Sequence, residues 1–196
     1  MCRTHVGVLL RLRYSFDVLE LFLAAIVLAF VPFDYLWLGL LVVIILGLPG
    51  LRARWGQAPY VWTDTKTHAT MLRFADIQQG ETVYDLGCGD GRLVRSAARK
   101  GAMAIGIEAS LLTFLLAWCW SLGTRKAHIR FGDLWKGDYQ NADVVFCYLL
   151  VASMERFERE VWPTLKPGCR VVSNSFRMKG LTPEKEEGGV FLYVKH

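Results

Sequence analysis

No two cysteines in this 196-residue chain stand at C-x-x-C spacing; Cys2, Cys88, Cys119, Cys147 and Cys169 are odd in number and scattered. The four histidines, His5, His68, His128 and His196, are equally dispersed. A zinc site or a disulfide framework needs clustered partners, so both are excluded, and the thiols point to a reduced compartment. Charge is also scarce: 21% of residues are charged against 53% hydrophobic. The mean hydropathy of +0.28 excludes intrinsic disorder. No repeat or low-complexity tract is present. Nor is there a basic stripe of the kind that nucleic acid selects. The net charge is +5, but residues 57–196 hold eighteen basic side chains against fifteen acids. A nucleic-acid partner is therefore not expected.

What is abundant is apolar sequence near the start. Residues 21–31 read LFLAAIVLAFV and 35–48 read YLWLGLLVVIILGL, divided by Pro32-Phe33-Asp34. Each run alone is shorter than the ~20 residues of a spanning helix, though both can lengthen, to about 18–31 and 35–50. No small-residue cleavage site follows, which argues against a signal peptide. A two-helix hairpin would put Arg3, Arg11 and Arg13 on the same side as Arg52 and Arg54, as the positive-inside rule requires. A single tilted span would bury the Asp34 carboxylate. A buried helical pair, or an oligomer interface, is the remaining alternative. The hairpin is preferred, making residues 1–56 a membrane segment, residues 52–59 a linker, and the lipid bilayer a partner. The domain of residues 57–196 then lies on the cytoplasmic or an equivalent reduced side. The oligomeric state is left open.

From Gln57 onward strand and helix signals alternate, the pattern of an α/β sheet with crossover helices. Helices are expected over 64–76, 90–100, 110–122 and 153–165. Strands are expected over 82–86, 102–108, 128–131, 143–147 and 170–175, closed by a hairpin through Gly188-Gly189. The helix over 110–122 is apolar on every side. It is expected to be packed on both sides, or to turn one face to lipid or another protomer, with burial placed first.

The first strand-to-helix turn reads Asp85-Leu-Gly-Cys-Gly-Asp-Gly91. Glycines there let bare backbone approach a ligand at a strand's carboxyl end. A dinucleotide fingerprint would need a third glycine where Arg92 stands. The observed spacing, with Asp85 before it, suits a cationic ligand better than a phosphate. The second strand ends in Glu108, twenty-one residues after Gly87, where an acid can accept both ribose hydroxyls. The third ends in Gly132-Asp133, where a carboxylate can accept from an adenine amine. Together the three acids specify an adenosine with a positively charged tail.

These motifs resemble those of class I S-adenosylmethionine-dependent methyltransferases. Pro59-Tyr-Val-Trp-Thr63, Asp133-Leu-Trp-Lys136 and Leu165-Lys-Pro-Gly-Cys-Arg-Val-Val-Ser173 are similar to the membrane-anchored protein-lysine methyltransferases of mitochondria and their bacterial relatives. Trp62 and Ala109-Ser110-Leu111 depart from that family's usual residues. The resemblance implies a Rossmann-like sheet with flanking helices behind the N-terminal hydrophobic hairpin, and S-adenosyl-L-methionine as cofactor. It also implies that Asp85, Gly87 and Gly89 serve the methionyl part, Glu108 the ribose, and Asp133 with Leu134 or Trp135 the adenine. Tyr148, after the fourth strand, would line the acceptor site. The implied acceptor is a lysine of a membrane-embedded protein; the family's eukaryotic members modify the ATP synthase c-subunit and the adenine nucleotide translocase. A membrane-soluble small molecule as acceptor, or a fold that binds cofactor without turnover, are the alternatives. Cys88 and Cys147 are read as small buried residues.

Overall fold

The computed structural model describes residues 64–196, together with Tyr35, Trp37, Leu38 and Leu41. The expected hairpin over 18–31 and 35–50, apart from those four residues, lies outside the described residues, as do the linker and the 56/57 boundary. Among the described residues no helix is long and apolar enough to cross a membrane.

Helix α1 spans Thr65–Ala75. Its N-terminus forms because Asp64 accepts from the amides of Lys66 and Thr67 and from the Thr67 hydroxyl. The Thr67 hydroxyl bond is the main reason the Asp64 carboxyl is held below its usual range. Strand β1 (Thr82–Leu86) leads through the glycine turn into α2 (Arg92–Arg99), then β2 (Met103–Glu108), α3 (Leu111–Ser121) and β3 (Ala127–Phe131). A 3₁₀ turn at Leu134–Lys136 precedes β4 (Val144–Cys147), α4 (Val151–Glu160) and a second 3₁₀ turn at Trp162–Thr164. The chain closes with β5 (Arg170–Asn174), β6 (Lys185–Glu187) and β7 (Val190–Val194).

The strands form one seven-stranded sheet in the order β3-β2-β1-β4-β5-β7-β6. The first five are parallel, and β7 runs antiparallel between β5 and β6. The expected Rossmann-like sheet is therefore present. Chain order reverses between β1 and β4, which opens a crevice beyond their carboxyl ends, the usual ligand position in such sheets.

Both faces of the central strands are covered, and their side chains alternate between two cores. Val83, Val144, Phe146, Val172 and Leu192 pack with Met71, Phe74, Val94 and Ala97 of α1 and α2. Val145, Cys147, Val171, Phe191 and Tyr193 pack with Met154 and Phe157 of α4. At the far end of the sheet Arg170 pairs with Glu81 and donates to the Asp76 carbonyl at 2.8 Å, fastening α1 to β5.

Three expectations need correction. The helix over 153–165 divides: α4 stops at Glu160, and Pro163, which lacks an N–H and clashes with the preceding turn, sits in a separate 3₁₀ turn. Helix α2 starts at Arg92 instead of Asp90, because Gly91 holds a left-handed φ of 73°. Helix α3 is not buried on both sides. Only Ala117 and Ser121 of its residues are buried.

Candidate active site

Strands β1 to β4 are parallel and in register, so their carboxyl ends share one edge. That edge brings Asp85, Gly87, Gly89, Glu108, Asp133, Leu134 and Tyr148 together. Asp85 sits between Gly106 of β2 and Phe146 of β4. Gly87, Gly89 and Gly91 adopt φ of 78°, 55° and 73°, a region costly to any residue with a Cβ. The amides of Gly87 and Cys88 both donate to the Ile107 carbonyl, at 2.9 and 3.0 Å, pinning the turn to β2. The Glu108 carboxylate completes the link by accepting from Gly89 N at 3.0 Å and Ser110 N at 2.9 Å. Burial raises the Glu108 carboxyl above its usual range, and these amides oppose the shift.

Asp85 has no such support. It is 6% exposed, and among the described residues no donor bonds its carboxylate. Burial first, then the negative charges of Asp90 and Glu108, push its carboxyl up to about 8. Asp90 is held differently. The Arg92 guanidinium forks onto it, with Nη2 to Oδ2 at 2.8 Å and Nε at 3.0 and 3.2 Å from its two oxygens.

Asp133 is exposed, and its Oδ1 accepts from Trp135 N at 3.0 Å, which starts the 3₁₀ turn. Leu134 is buried beneath the strand ends, and the Tyr139 hydroxyl donates to its carbonyl. Trp135 lies half-buried under the Arg156 guanidinium, 4.2 Å from its ring centre, so α4 reaches across to the Asp133 side of the strand ends. On the other side Tyr148, half-buried, stacks on Phe176 with ring centroids 6.4 Å apart. Phe176 is presented by Ser175, whose φ of 67° is strained for serine, and the Ser173 hydroxyl fixes the Phe176 carbonyl at 2.6 Å. Cys88 and Cys147 are buried, and burial pushes both thiols up, Cys147 to about 12. Neither is an activated nucleophile.

Sequence reading gave Asp90 no role and overlooked Asn174-Ser175-Phe176. The available signal was the change from Val-Val to Ser-Asn-Ser at the end of β5.

The ANTKMT methyltransferase domain family has a model that matches residues 85–185, more than half of the chain. The chain belongs to that family. A protein-lysine N-methyltransferase of Saccharolobus islandicus is 37% identical over 151 residues, covering 70% of this chain and 94% of that protein. The lysine N-methyltransferase of the mouse that is named for the ATP synthase c-subunit is 29% identical over 133 residues; the match covers 66% of this chain and 53% of that protein. The chain thus spans about half the length of that vertebrate relative. Among solved structures, an RNA methyltransferase of Salinibacter ruber in complex with S-adenosyl-L-homocysteine superposes with a TM-score of 0.63 at 33% identity. That match covers 69% of this chain and 92% of the other.

This ANTKMT-family chain is an S-adenosylmethionine-dependent methyltransferase. Its residues fit the cofactor. A buried carboxylate with no donor, beside a bare glycine turn and a second acidic strand end, accepts an ammonium group and hydroxyls. The same acidic acceptors would repel a phosphate.

Proposed function

We propose that this methyltransferase modifies a lysine amine of a membrane-associated protein and is held at the bilayer by the apolar runs within residues 18–50. The 37% identity with a protein-lysine N-methyltransferase, over nearly all of that protein's length, carries the reading. The mouse relative, named for a lysine of the ATP synthase c-subunit, supports it, and the two apolar runs support the membrane part.

When bound, S-adenosylmethionine supplies a methyl group already activated on a sulfonium. The chain's own work is placement. Asp85 would hold the cofactor's α-ammonium, exchanging a buried acid without a donor among the described residues for an ion pair. Gly87 and Gly89 would let backbone pass close to the methionyl part, Glu108 would hold the ribose hydroxyls, and Asp133, with Leu134 beside it, would hold the adenine. Tyr148 and Phe176 line the acceptor side. A lysine amine, with a pKa of about 10.4 in water, must be neutral to attack, and a partly desolvated aromatic mouth lowers that value. No dedicated base is needed. Alignment and exclusion of water supply the rate.

Tyr148→Ala is expected to reduce methylation on the order of a hundredfold through loss of alignment. Cofactor affinity, measured by calorimetric titration, is expected to stay unchanged, and Tyr148→Phe to retain most activity. A cofactor-binding defect in Tyr148→Ala would move this residue out of the acceptor mouth.

The reading as a whole is tested with cofactor labelled on its methyl group, incubated with the full chain and membranes lacking the native enzyme. Acid hydrolysis of the membrane proteins is expected to yield labelled methyl-lysine. Label in an organic extract would instead indicate a lipid or quinone-like acceptor, and label in RNA a nucleic-acid acceptor. Either result overturns the lysine assignment.

A further inference from the structure

Helix α3 turns an apolar surface outward. Successive helical residues rotate by about 100°, so Leu112, Leu115, Leu116, Trp118, Cys119 and Trp120 sweep more than half the circumference. All six are exposed, Leu116 at 52% and Trp118 at 47%. The helix carries no charged residue. Phe131, at the edge of β3, extends the surface and lies 5.6 Å from the Phe114 ring.

Basic residues gather at one end of this surface: Arg95 lies over the Trp120 ring, Arg99 and Lys100 close α2, and Arg125 and Lys126 follow α3. Residues 91–132 hold seven Lys or Arg and a single acid, Glu108, whose carboxylate is engaged by Gly89 and Ser110. The near-neutrality of the whole domain is an average that conceals this segment. Arg99, Lys100, Arg125, Lys126 and Arg130 are exposed. Lys126 donates to the Gly101 carbonyl at 2.8 Å, and among the described residues none of the five forms an ion pair. Elsewhere several basic residues are matched by acids, as in Arg73–Glu187, Arg156–Glu160 and Lys179–Glu155.

We infer that α3 and its basic rim dock on an anionic lipid surface. Leucine and tryptophan on one face with Lys and Arg beside them are what an interfacial helix uses, the indoles lying at headgroup depth. Unpaired bases at the rim are attracted by anionic headgroups. Charge decides among the other occupants. A second copy would oppose the same positive face to itself, and residues 1–56 are also net basic, with five Arg against three acids. Leucines at the centre offer nucleic acid neither stacking nor hydrogen bonds. This contact lies on the catalytic domain itself and does not depend on the apolar runs or on a lysine acceptor. Helix α3 begins three residues after Glu108, so docking also sets the cofactor crevice close to the headgroups.

Cys119 lies within the exposed arc, whereas Cys88, Cys147 and Cys169 are buried. The full chain carrying Cys2→Ser is labelled at Cys119 with the fluorophore NBD and reconstituted into phosphatidylcholine vesicles, with or without phosphatidylglycerol. Blue-shifted emission, quenched by brominated acyl chains, is expected with phosphatidylglycerol and is expected to weaken in high salt. The triple variant Arg99→Gln/Lys100→Gln/Arg125→Gln is expected to shift the docked fraction by about a hundredfold, as roughly 1 kcal/mol per charge implies. Retained S-adenosylmethionine binding shows that this variant is folded. Water-like emission on bound anionic vesicles overturns the proposal. So does emission already blue without lipid, the mark of coverage by residues 1–63 or by a second copy, or a response to RNA in place of vesicles.

Discussion

Asp85→Asn is expected to make the cofactor-free protein more stable at pH 8 while weakening S-adenosylmethionine binding on the order of ten- to a hundredfold. Both effects arise from a buried carboxylate without a donor. Its carboxyl is raised from 3.8 in the unfolded chain to about 8 in the fold. Below pH 4 both states hold the proton. Between about 4 and about 8 the unfolded chain releases it and the folded chain keeps it, so stability falls as pH rises through that window. The slope is about 1.4 kcal/mol per pH unit for one proton. Asparagine does not titrate, so the slope contributed by this group disappears. Urea denaturation from pH 4.5 to 8.5 measures it. Binding of a cationic amine at Asp85 should also expel a proton at neutral pH, visible in calorimetry as a heat that depends on the buffer's ionisation enthalpy. Identical pH profiles for the wild type and Asp85→Asn would remove the uncompensated charge.

Gly106→Ala is expected to be the more disruptive change to the fold. A Cβ at Gly106 would stand 2.7 Å from Cys88 Sγ and 2.8 Å from both Cys88 Cβ and Val94 Cγ2. Flexible chain ends could yield, but Cys88 Cβ is tied to a backbone that the Ile107 carbonyl holds in place. Overpacking of this kind costs about 3 kcal/mol or more. The melting temperature is then expected to drop by roughly 10 °C, with loss of cofactor binding as Gly87 and Gly89 move with Cys88. Adding Cys88→Ala removes the sulfur contact and should restore part of the stability. A wild-type melting curve for Gly106→Ala would contradict the close approach.

Most of the sheet could be read from the sequence. The bounds of β1 coincide with expectation, and the Gly188-Gly189 turn joins β6 to β7, because strand alternation and paired glycines are local signals. The break at Pro163 was legible in principle, since the ring's clash with the preceding turn is also local. Helix α3 is a different case. Its composition fits burial or a lipid face equally well, and only the packing of neighbouring elements decides. The acids at the strand ends were visible as acids. What separates them was not: Glu108 meets two amides, Asp90 a guanidinium and Asp85, among the described residues, no donor, and those partners converge only in three dimensions. The mouth formed by Tyr148 and Phe176 joins two strand ends far apart in sequence, and it carries no charge to draw attention.

The sheet also acts as insulation between two halves of the molecule. Met71 belongs to the core under α1 and α2, Phe157 to the core under α4, and among the described residues no core residue is shared by both. Losses of packing on opposite sides should therefore be additive, whereas pairs within one side, such as Met154 with Phe157, should show coupling. The consequence is evolutionary as much as energetic. The layer bearing α3 and the layer behind Trp135 can accumulate substitutions on separate schedules. A lineage could thus alter the outer face of α3 without disturbing the α4 side of the crevice.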